Sequence, residues 1–230
     1  MAKNVPPIVI SLGGSLVVPE EIQVDFLRAF QKLIEQQLRR GQRFILIIGG
    51  GRTARRYQQA ARAITKLTAE DLDWLGIHAT RLNAHLLRTM FRKHAYPQII
   101  TDRKKIHPNI RSKIIVAAGF KPGSSTDYDA VLLAKAYKAK TILNLSNVDW
   151  VYSADPRTHK HAKPIRSMTW QTLVKLVGTR WDPGAHVPFD PVASKWAARW
   201  GMRVIITRGN DLTNLRKIFF GKKAKGTIIG

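Results

Sequence analysis

The sequence predicts an α/β fold, a three-layer sandwich in which a mostly parallel central sheet carries helices on both faces. Three observations predict it. The runs Ile8-Val9-Ile10-Ser11-Leu12 and Phe44-Ile45-Leu46-Ile47-Ile48 are nearly unbroken β-branched and aliphatic stretches, the pattern of strands buried on both faces and found mainly in helix-covered parallel sheets. Each run closes on a glycine turn, Gly13-Gly14-Ser15 and Gly49-Gly50-Gly51, and each turn leads into a helical pattern. Strands and helices then alternate to the end of the chain, which is the sequence signature of an α/β domain.

The elements follow in order. Residues 20–40 carry apolar positions at Ile22, Phe26, Phe30, Leu33, Ile34 and Leu38 and stop at Gly41, a helix with one apolar face. A second helix is expected over 53–64. Thr68-Ala69-Glu70-Asp71 reads as an N-cap with acidic first-turn residues, opening a third helix that continues to about Lys93. Ile99-Ile100 and Ile114-Ile115-Val116-Ala117 are short strand candidates separated by a basic, proline-containing loop. The turn over 119–126 precedes a helix over 127–137, and Thr141-Ile142-Leu143-Asn144-Leu145 is another buried strand. Beyond a loop-rich stretch come helices over 169–177 and 191–200, the strand Val204-Ile205-Ile206-Thr207, a helix over 214–220 and the strand Thr227-Ile228-Ile229, with a turn opened by Pro183-Gly184. No internal repeat or low-complexity linker divides the chain.

Composition narrows the function classes. The chain has 230 residues, enough for a substantial core, and no cysteine, which excludes a disulfide framework and a thiolate metal site. No apolar stretch approaches the roughly 18 residues needed to cross a bilayer, and the first residues lack an apolar signal core, so a soluble cytoplasmic protein with no membrane partner is expected. The 39 Lys and Arg against 15 Asp and Glu give a formal charge of +24. Such a surface attracts polyanions. The cations are spread along the chain without a recognition-helix, zinc-finger or aromatic RNA-binding signature, so nonspecific polyanion affinity is expected rather than a dedicated nucleic-acid function.

In a parallel sheet the turns leaving the strands share one edge, where ligands of open α/β sheets collect. The two glycine turns are therefore expected to be neighbours. Without Cβ atoms, their backbone N–H groups can close on an oxyanion, and the following helix starts add donors and a favourable dipole. Arg52, Arg55 and Arg56 stand just behind the second turn, which favours a phosphorylated ligand. Neither turn continues into the Gly-Lys-Ser/Thr of a P-loop or fits Gly-x-Gly-x-x-Gly. His159 and His161 lack a third ligand of suitable type nearby, so no metal site is read from them. Trp196 and Trp200, four apart, read as one packed helix face.

Six pieces in fixed order carry a family resemblance: Gly13-Gly14-Ser15; the run from Gly49 through Arg55 to Tyr57; Asp73-Trp74-Leu75-Gly76-Ile77 leading into Thr80-Arg81-Leu82-Asn83-Ala84; residues 119–127; Ser146-Asn147-Val148-Asp149 with Tyr152 and Asp155-Pro156; and Asp190-Pro191-Val192-Ala193-Ser194-Lys195. Over almost its whole length the chain resembles the amino-acid-kinase fold family and, within it, the uridylate (UMP) kinases of the archaeal type. The resemblance implies transfer of the γ-phosphoryl of ATP to UMP, giving UDP and ADP in pyrimidine nucleotide synthesis, with Mg²⁺ carried on the ATP and no covalent intermediate. It implies one continuous α/β domain, with an acceptor-binding lobe over 1–135 and an ATP-binding lobe over 136–230, and self-association into a homo-oligomer, with a hexamer among the assemblies of the family.

The resemblance also implies residue roles. Gly13, Gly14, Ser15 and Gly51 would hold ATP phosphates, and Gly50 and Arg55 the phosphate of UMP. Asp73 matches the acidic residue that accepts hydrogen bonds from ribose hydroxyls, although it reads equally as an exposed first-turn carboxylate. Arg81, Gly119, Ser125, Thr126 and Asp127 would complete the UMP site. Ser146, Asn147, Tyr152 and Asp155 match positions holding the adenosine part of ATP. Asp149, Lys195 and Arg55 are the catalytic candidates, Asp149 orienting cationic groups at the transferring phosphoryl; a solvated surface lysine is the alternative for Lys195.

Three departures stand out. Ser11 occupies a position where many relatives have lysine. Trp150 follows Asp149 where the motif usually has glycine, and a backbone needing positive φ there would be strained. Trp181-Asp182-Pro183-Gly184 has no assigned role. Two other readings stay open: a kinase of the same fold acting on another small acid or phosphate, and a noncatalytic nucleotide- or polyanion-binding protein.

Overall fold

The computed structural model describes residues 6–155, 158–180 and 187–230; the expected roles of Pro156 and of residues 181–184 fall outside them. Its centre is a seven-stranded sheet in the order β3-β2-β1-β4-β8-β9-β7. Strands β1 (Ile8–Leu12), β2 (Phe44–Ile48), β3 (Ile114–Ala117), β4 (Thr141–Ser146) and β8 (Arg203–Arg208) run parallel. β1 lies between β2 and β4, with Leu12 in register with both Ile48 and Leu145. That register brings the ends of the three strands, and so the turns behind two of them, to one edge. β9 (Thr227–Ile229) pairs antiparallel with β8, and β7 (Ser167–Met168) joins it as the last strand. A separate two-stranded ribbon is formed by β5 (Val151–Tyr152) and β6 (Pro164–Ile165).

Alternate residues of the central strands feed two cores, one on each face. Ile10, Leu46 and Val116 face a layer built from α2 (Val24–Arg39), α4 (Ala69–Met90) and α8 (Leu212–Phe219). Val9, Ile45, Ile47 and Ile115 face the layer of α5 (Thr126–Ala136), α6 (Trp170–Val177) and α7 (Pro191–Arg199). Burial on both faces explains why these strands are apolar at every position rather than at alternate ones. The remaining helices, α1 (Gly14–Val17) and α3 (Gly51–Ile64), start at the two glycine turns.

Local chemistry sets the helix ends. Thr68 and Asp71 form a reciprocal capping box at the start of α4, and Ser125, Thr169, Asp190 and Asp211 cap α5, α6, α7 and α8. The Trp196 and Trp200 rings lie 5.0 Å apart on one face of α7, as their spacing predicts. Some expectations are corrected. Ile22 precedes α2, which starts at Val24, and is 53% exposed, while Leu27 takes the buried position in the first turns of the helix. Ile99-Ile100 forms no strand: Ile100 makes an isolated bridge to Ala117, the chain running only briefly beside the edge of β3. α3 starts at Gly51 itself, two residues before the expected start.

Candidate active site

The two glycine turns are locked together at the carboxyl edge. Gly13 N–H donates to Leu145 O and Gly49 N–H to Leu12 O, continuing the sheet into the turns. A Cβ on Gly14 would overlap the backbone N of Gly51 and stand 2.6 Å from Gly49 O, and one on Gly51 would stand 2.5 Å from Gly14 O. Gly51 has φ +63°, a conformation that glycine adopts without steric cost. Here the close approach of two backbones, not turn formation alone, requires glycine. Asn83, buried on α4, donates from Nδ2 to both Gly49 O and Gly50 O, so the second turn is braced from the helix beside it. Asn83 belongs to the Thr80–Ala84 motif without a role that sequence alone assigns; the signal for it is an amide side chain inside a helix.

The loop before α5 is fastened to α4 by three side chains. Thr80 Oγ1 accepts from Gly119 N–H at 2.9 Å, an Arg81 guanidinium nitrogen donates to Phe120 O at 3.2 Å, and Asp73 Oδ2 accepts from Gly123 N–H at 2.7 Å. Arg81 also lies over the Trp74 ring, 5.9 Å from its centroid. Asp73, Arg81 and Gly119, far apart in the chain, are thus brought together within reach of Gly50, whose own nearest neighbours include Gly76 O and Ala79 of α4.

Beneath the turns lies a buried carboxylate group. Asp127 Oδ1 accepts from Ser11 Oγ at 3.0 Å and from Asn144 Nδ2 at 3.3 Å, while Asp127 Oδ2 accepts from Asp190 N–H at 3.3 Å. Asp190 is 1% exposed; its Oδ1 caps α7 through Ala193 N–H, and its Oδ2 is buried without a hydrogen-bond partner among the described residues. Burial first, and then the nearby charge of Asp190, push Asp127 up to about 7. Burial also raises Asp190, and it pushes Asp129, which accepts from Phe120 N–H, up to about 8. Ser125 caps α5 through Tyr128 N–H, with Thr126 beside it as the first helical residue.

The other predicted residues are less enclosed. Of the arginines behind the second turn, Arg52 and Arg56 reach Glu20 at 3.1 and 3.5 Å, whereas Arg55 makes no ion pair among the described residues. Asp149 accepts from Arg208 Nε at 3.1 Å and is partly exposed. Ser146 Oγ and Asn147 Oδ1 are 3.4 Å apart at the end of β4, Tyr152 lies half-buried on β5, and Asp155 O accepts from the backbone of Thr158 and His159. Trp150 is half-buried with no positive φ, so the indole is carried without the backbone strain that its glycine-like position raised. Lys195 is exposed on α7. Among the described residues no cluster of three or more His, Cys, Asp or Glu side chains has metal-site geometry.

A sheet edge with interlocked glycine turns, a guanidinium beside them and buried carboxylates beneath them can hold phosphoryl groups without a covalent nucleophile. Residues 6–208 match the model of the amino acid kinase family. The chain belongs to that family. Within it, the chain is 33% identical over 224 residues to the uridylate kinase of Thermococcus kodakarensis, covering 96% of this chain and 98% of that one. It is 34% identical over 225 residues to the uridylate kinase of Thermoplasma volcanium, covering 96% of both. The crystal structure of uridylate kinase from Archaeoglobus fulgidus superposes with a TM-score of 0.82 at 33% identity, over 97% of this chain and 100% of that one. An aspartate kinase from Synechocystis shares the fold, with a TM-score of 0.73 at 18% identity over 96% of this chain and 39% of that one.

Proposed function

We propose that this family member is a UMP kinase: a terminal phosphate oxygen of UMP attacks the γ-phosphorus of ATP, the bond to the bridging oxygen breaks, and UDP and ADP leave. The observation that carries the reading is the interlocked pair of glycine turns, which offers backbone donors to two phosphates side by side, with Arg55 left to a ligand while its neighbours pair with Glu20. Phosphoryl transfer requires in-line positioning and charge cancellation more than a nucleophile from the protein.

The roles follow from place. Gly14, Ser15 and Gly51 take ATP phosphates, with Gly13, whose N–H is held by Leu145 O, shaping the turn that presents them; Gly50 and Arg55 take the UMP phosphate; Asp73, Arg81 and the loop 119–127 enclose its nucleoside. Ser146, Asn147, Tyr152 and Asp155 take the adenosine side. The acceptor site thus falls mainly in residues 1–135 and the donor site in 136–230, on one shared sheet. Asp149 and Lys195 are charged groups near the donor. Asp127, half-buried and bonded to Ser11 immediately under the first turn, is the better-placed carboxylate to orient charge at the transferring phosphoryl, since Asp149 is already held by Arg208. Asp190, whose Oδ2 is buried without a hydrogen-bond partner among the described residues, and its neighbour Asp127 are the carboxylates that would face a Mg²⁺ carried on ATP, which would offset charge on the phosphates.

Self-association fits the surface. The fourteen-residue helix α3 buries only Ala54, and leaves Tyr57 64% and Ile64 84% exposed, a helix face suited to burial against a second copy. No helix among the described residues is long and apolar enough to cross a membrane, and we place the enzyme in the cytoplasm with its nucleotide substrates.

The test is ADP release by the purified protein with ATP and Mg²⁺ and either UMP, CMP or no acceptor, beside Asp127→Asn and Asp149→Asn. Turnover with UMP that falls by 100-fold or more in Asp127→Asn supports the reading. Absence of turnover with any nucleotide in folded protein overturns it.

A further inference from the structure

Charge is sorted by position in this fold. Every described side-chain carboxylate lies at a helix start, in a loop at the carboxyl edge, or in the β5–β6 loop, except Glu35, which stands one turn before the end of α2 and accepts from Gln31 Nε2. The described ion pairs, Arg28–Asp25, Arg52–Glu20, Arg56–Glu20 and Arg208–Asp149, all belong to that end. The opposite edge, where parallel strands begin and helices end, has no side-chain carboxylate among the described residues. Lys113 and Lys140 immediately precede β3 and β4, and Arg203 begins β8; all three are exposed. In the strand order β3-β2-β1-β4-β8 these positions span about 19 Å at the ~4.8 Å spacing of neighbouring strands.

The row continues onto the rim. Phe219 packs on Phe44 at the start of β2, and the Arg40 guanidinium lies 4.2 Å from the centroid of the Phe220 ring. These contacts put the end of α8, followed by exposed Lys222 and Lys223, beside the last turn of α2. A basic residue at a helix end is ordinary complement to the helix dipole. That cause does not reach residues at strand starts or in the turn after α8. A cavity of about 220 Å³ opens on the same edge, lined by Arg43, Asn109 and Lys138 among others and by no carboxylate.

We infer that this amino-terminal edge is a binding face for single-stranded nucleic acid, with RNA as the probe, at the opposite end of the molecule from the proposed kinase site. A line of cations with no side-chain carboxylate between Lys113, Lys140 and Arg203 tracks a phosphodiester backbone, and Arg40 stacked on an exposed Phe220 offers a platform for an unpaired base. A membrane surface fits less well: Phe220, 43% exposed, is the one large exposed hydrophobic on this edge among the described residues, and its ring lies under a guanidinium, leaving no apolar wedge to insert.

The test is fluorescence anisotropy with a labelled single-stranded RNA oligomer across a salt series, beside sedimentation with phosphatidylserine vesicles. The variant Lys113→Glu/Lys140→Glu/Lys222→Glu/Lys223→Glu should bind RNA at least tenfold more weakly. It should also lower the salt slope by about 3, the loss of roughly four phosphate contacts on a single strand. A charge-matched control, Arg62→Glu/Lys66→Glu/Lys160→Glu/Lys163→Glu, should stay within twofold of wild type. The corresponding four Lys→Gln changes give the same ordering if the reversal variant fails to fold. Equal weakening in both charge variants, no RNA bound by the wild type at low salt, or tighter binding to vesicles than to RNA overturns the inference. Kinase turnover is independent of it and serves as a separate readout.

Discussion

Replacing Gly51 by alanine separates two costs that are usually confounded. Gly51 and Gly41 both hold positive φ, +63° and +84°. Alanine at either position pays the left-handed penalty, about 1–2 kcal/mol. The surroundings differ: a Cβ on Gly41 meets nothing within 4 Å, whereas one on Gly51 stands 2.5 Å from Gly14 O, 2.8 Å from Gly14 C and 3.0 Å from Val18 O. All three are backbone atoms, so no rotamer can yield, and the two turns must part by roughly half an ångström to one ångström. Overpacking of that kind costs about 1–3 kcal/mol. Gly51→Ala should therefore lose about 2–5 kcal/mol in urea denaturation and Gly41→Ala about 1–2. The turnover of the folded enzyme should separate the variants further: displacement of a phosphate cradle by up to an ångström lowers kcat/KM about 100-fold, while Gly41→Ala should match wild type. Equal stability and equal turnover for the two variants would refute the interlock.

The buried carboxylates make a pH prediction. Asp127 and Asp129 sit raised, to about 7 and about 8, so the folded, ligand-free protein holds protons that the unfolded chain releases near 4. Their favourable contribution is complete below the unfolded value and is lost as pH rises through the folded ones. At high salt, which screens the excess positive charge, the denaturation midpoint should fall as pH rises from about 4 to about 8 and level off above that, and Asp129→Asn should flatten that fall by something on the order of 2 kcal/mol. A flat wild-type profile would sink this account. Asp73 gives a third prediction, since its Oδ2 fastens the acceptor loop through Gly123 N–H. Asp73→Ala should raise the KM for UMP at least tenfold with a smaller change in the KM for ATP, and equal changes in both would argue against its place on the acceptor side.

The central fold is legible because its signals are local. Five parallel strands read as apolar runs, and Thr68, Asp71 and Asp190 mark helix starts by residue type alone. The two-residue strands β5, β6 and β7 do not read from sequence, since their place is set by partners far along the chain: Thr227 Oγ1 accepts from Val151 N–H and donates to Ile165 O. Ile22 misleads because apolar periodicity extends through the residues preceding α2. At the site, the glycine turns announce themselves, and their mutual contact follows from strand register. Asp127 reads as one more residue of the acceptor loop, since its partners Ser11, Asn144 and Asp190 stand 116, 17 and 63 positions away. Only the fold makes it central.

Ser11 ties these points together. A lysine in its place would bring a positive charge to Asp127; a hydroxyl supplies one hydrogen bond and no charge, and the hydrogen bonds from Ser11 and Asp190 N–H do not overcome the cost of burial. The site is therefore a pair of poorly solvated carboxyls beneath turns that present backbone N–H groups. Such a pair favours an incoming cation and resists an isolated anion. On the proposed reading, ATP carrying Mg²⁺ would bring both negative groups for the turns and positive charge to Asp127 and Asp190. On that reading the serine in place of lysine leaves the site short of one positive charge until the donor is bound, and Lys195, exposed on the helix that Asp190 caps, is the candidate cation on that helix.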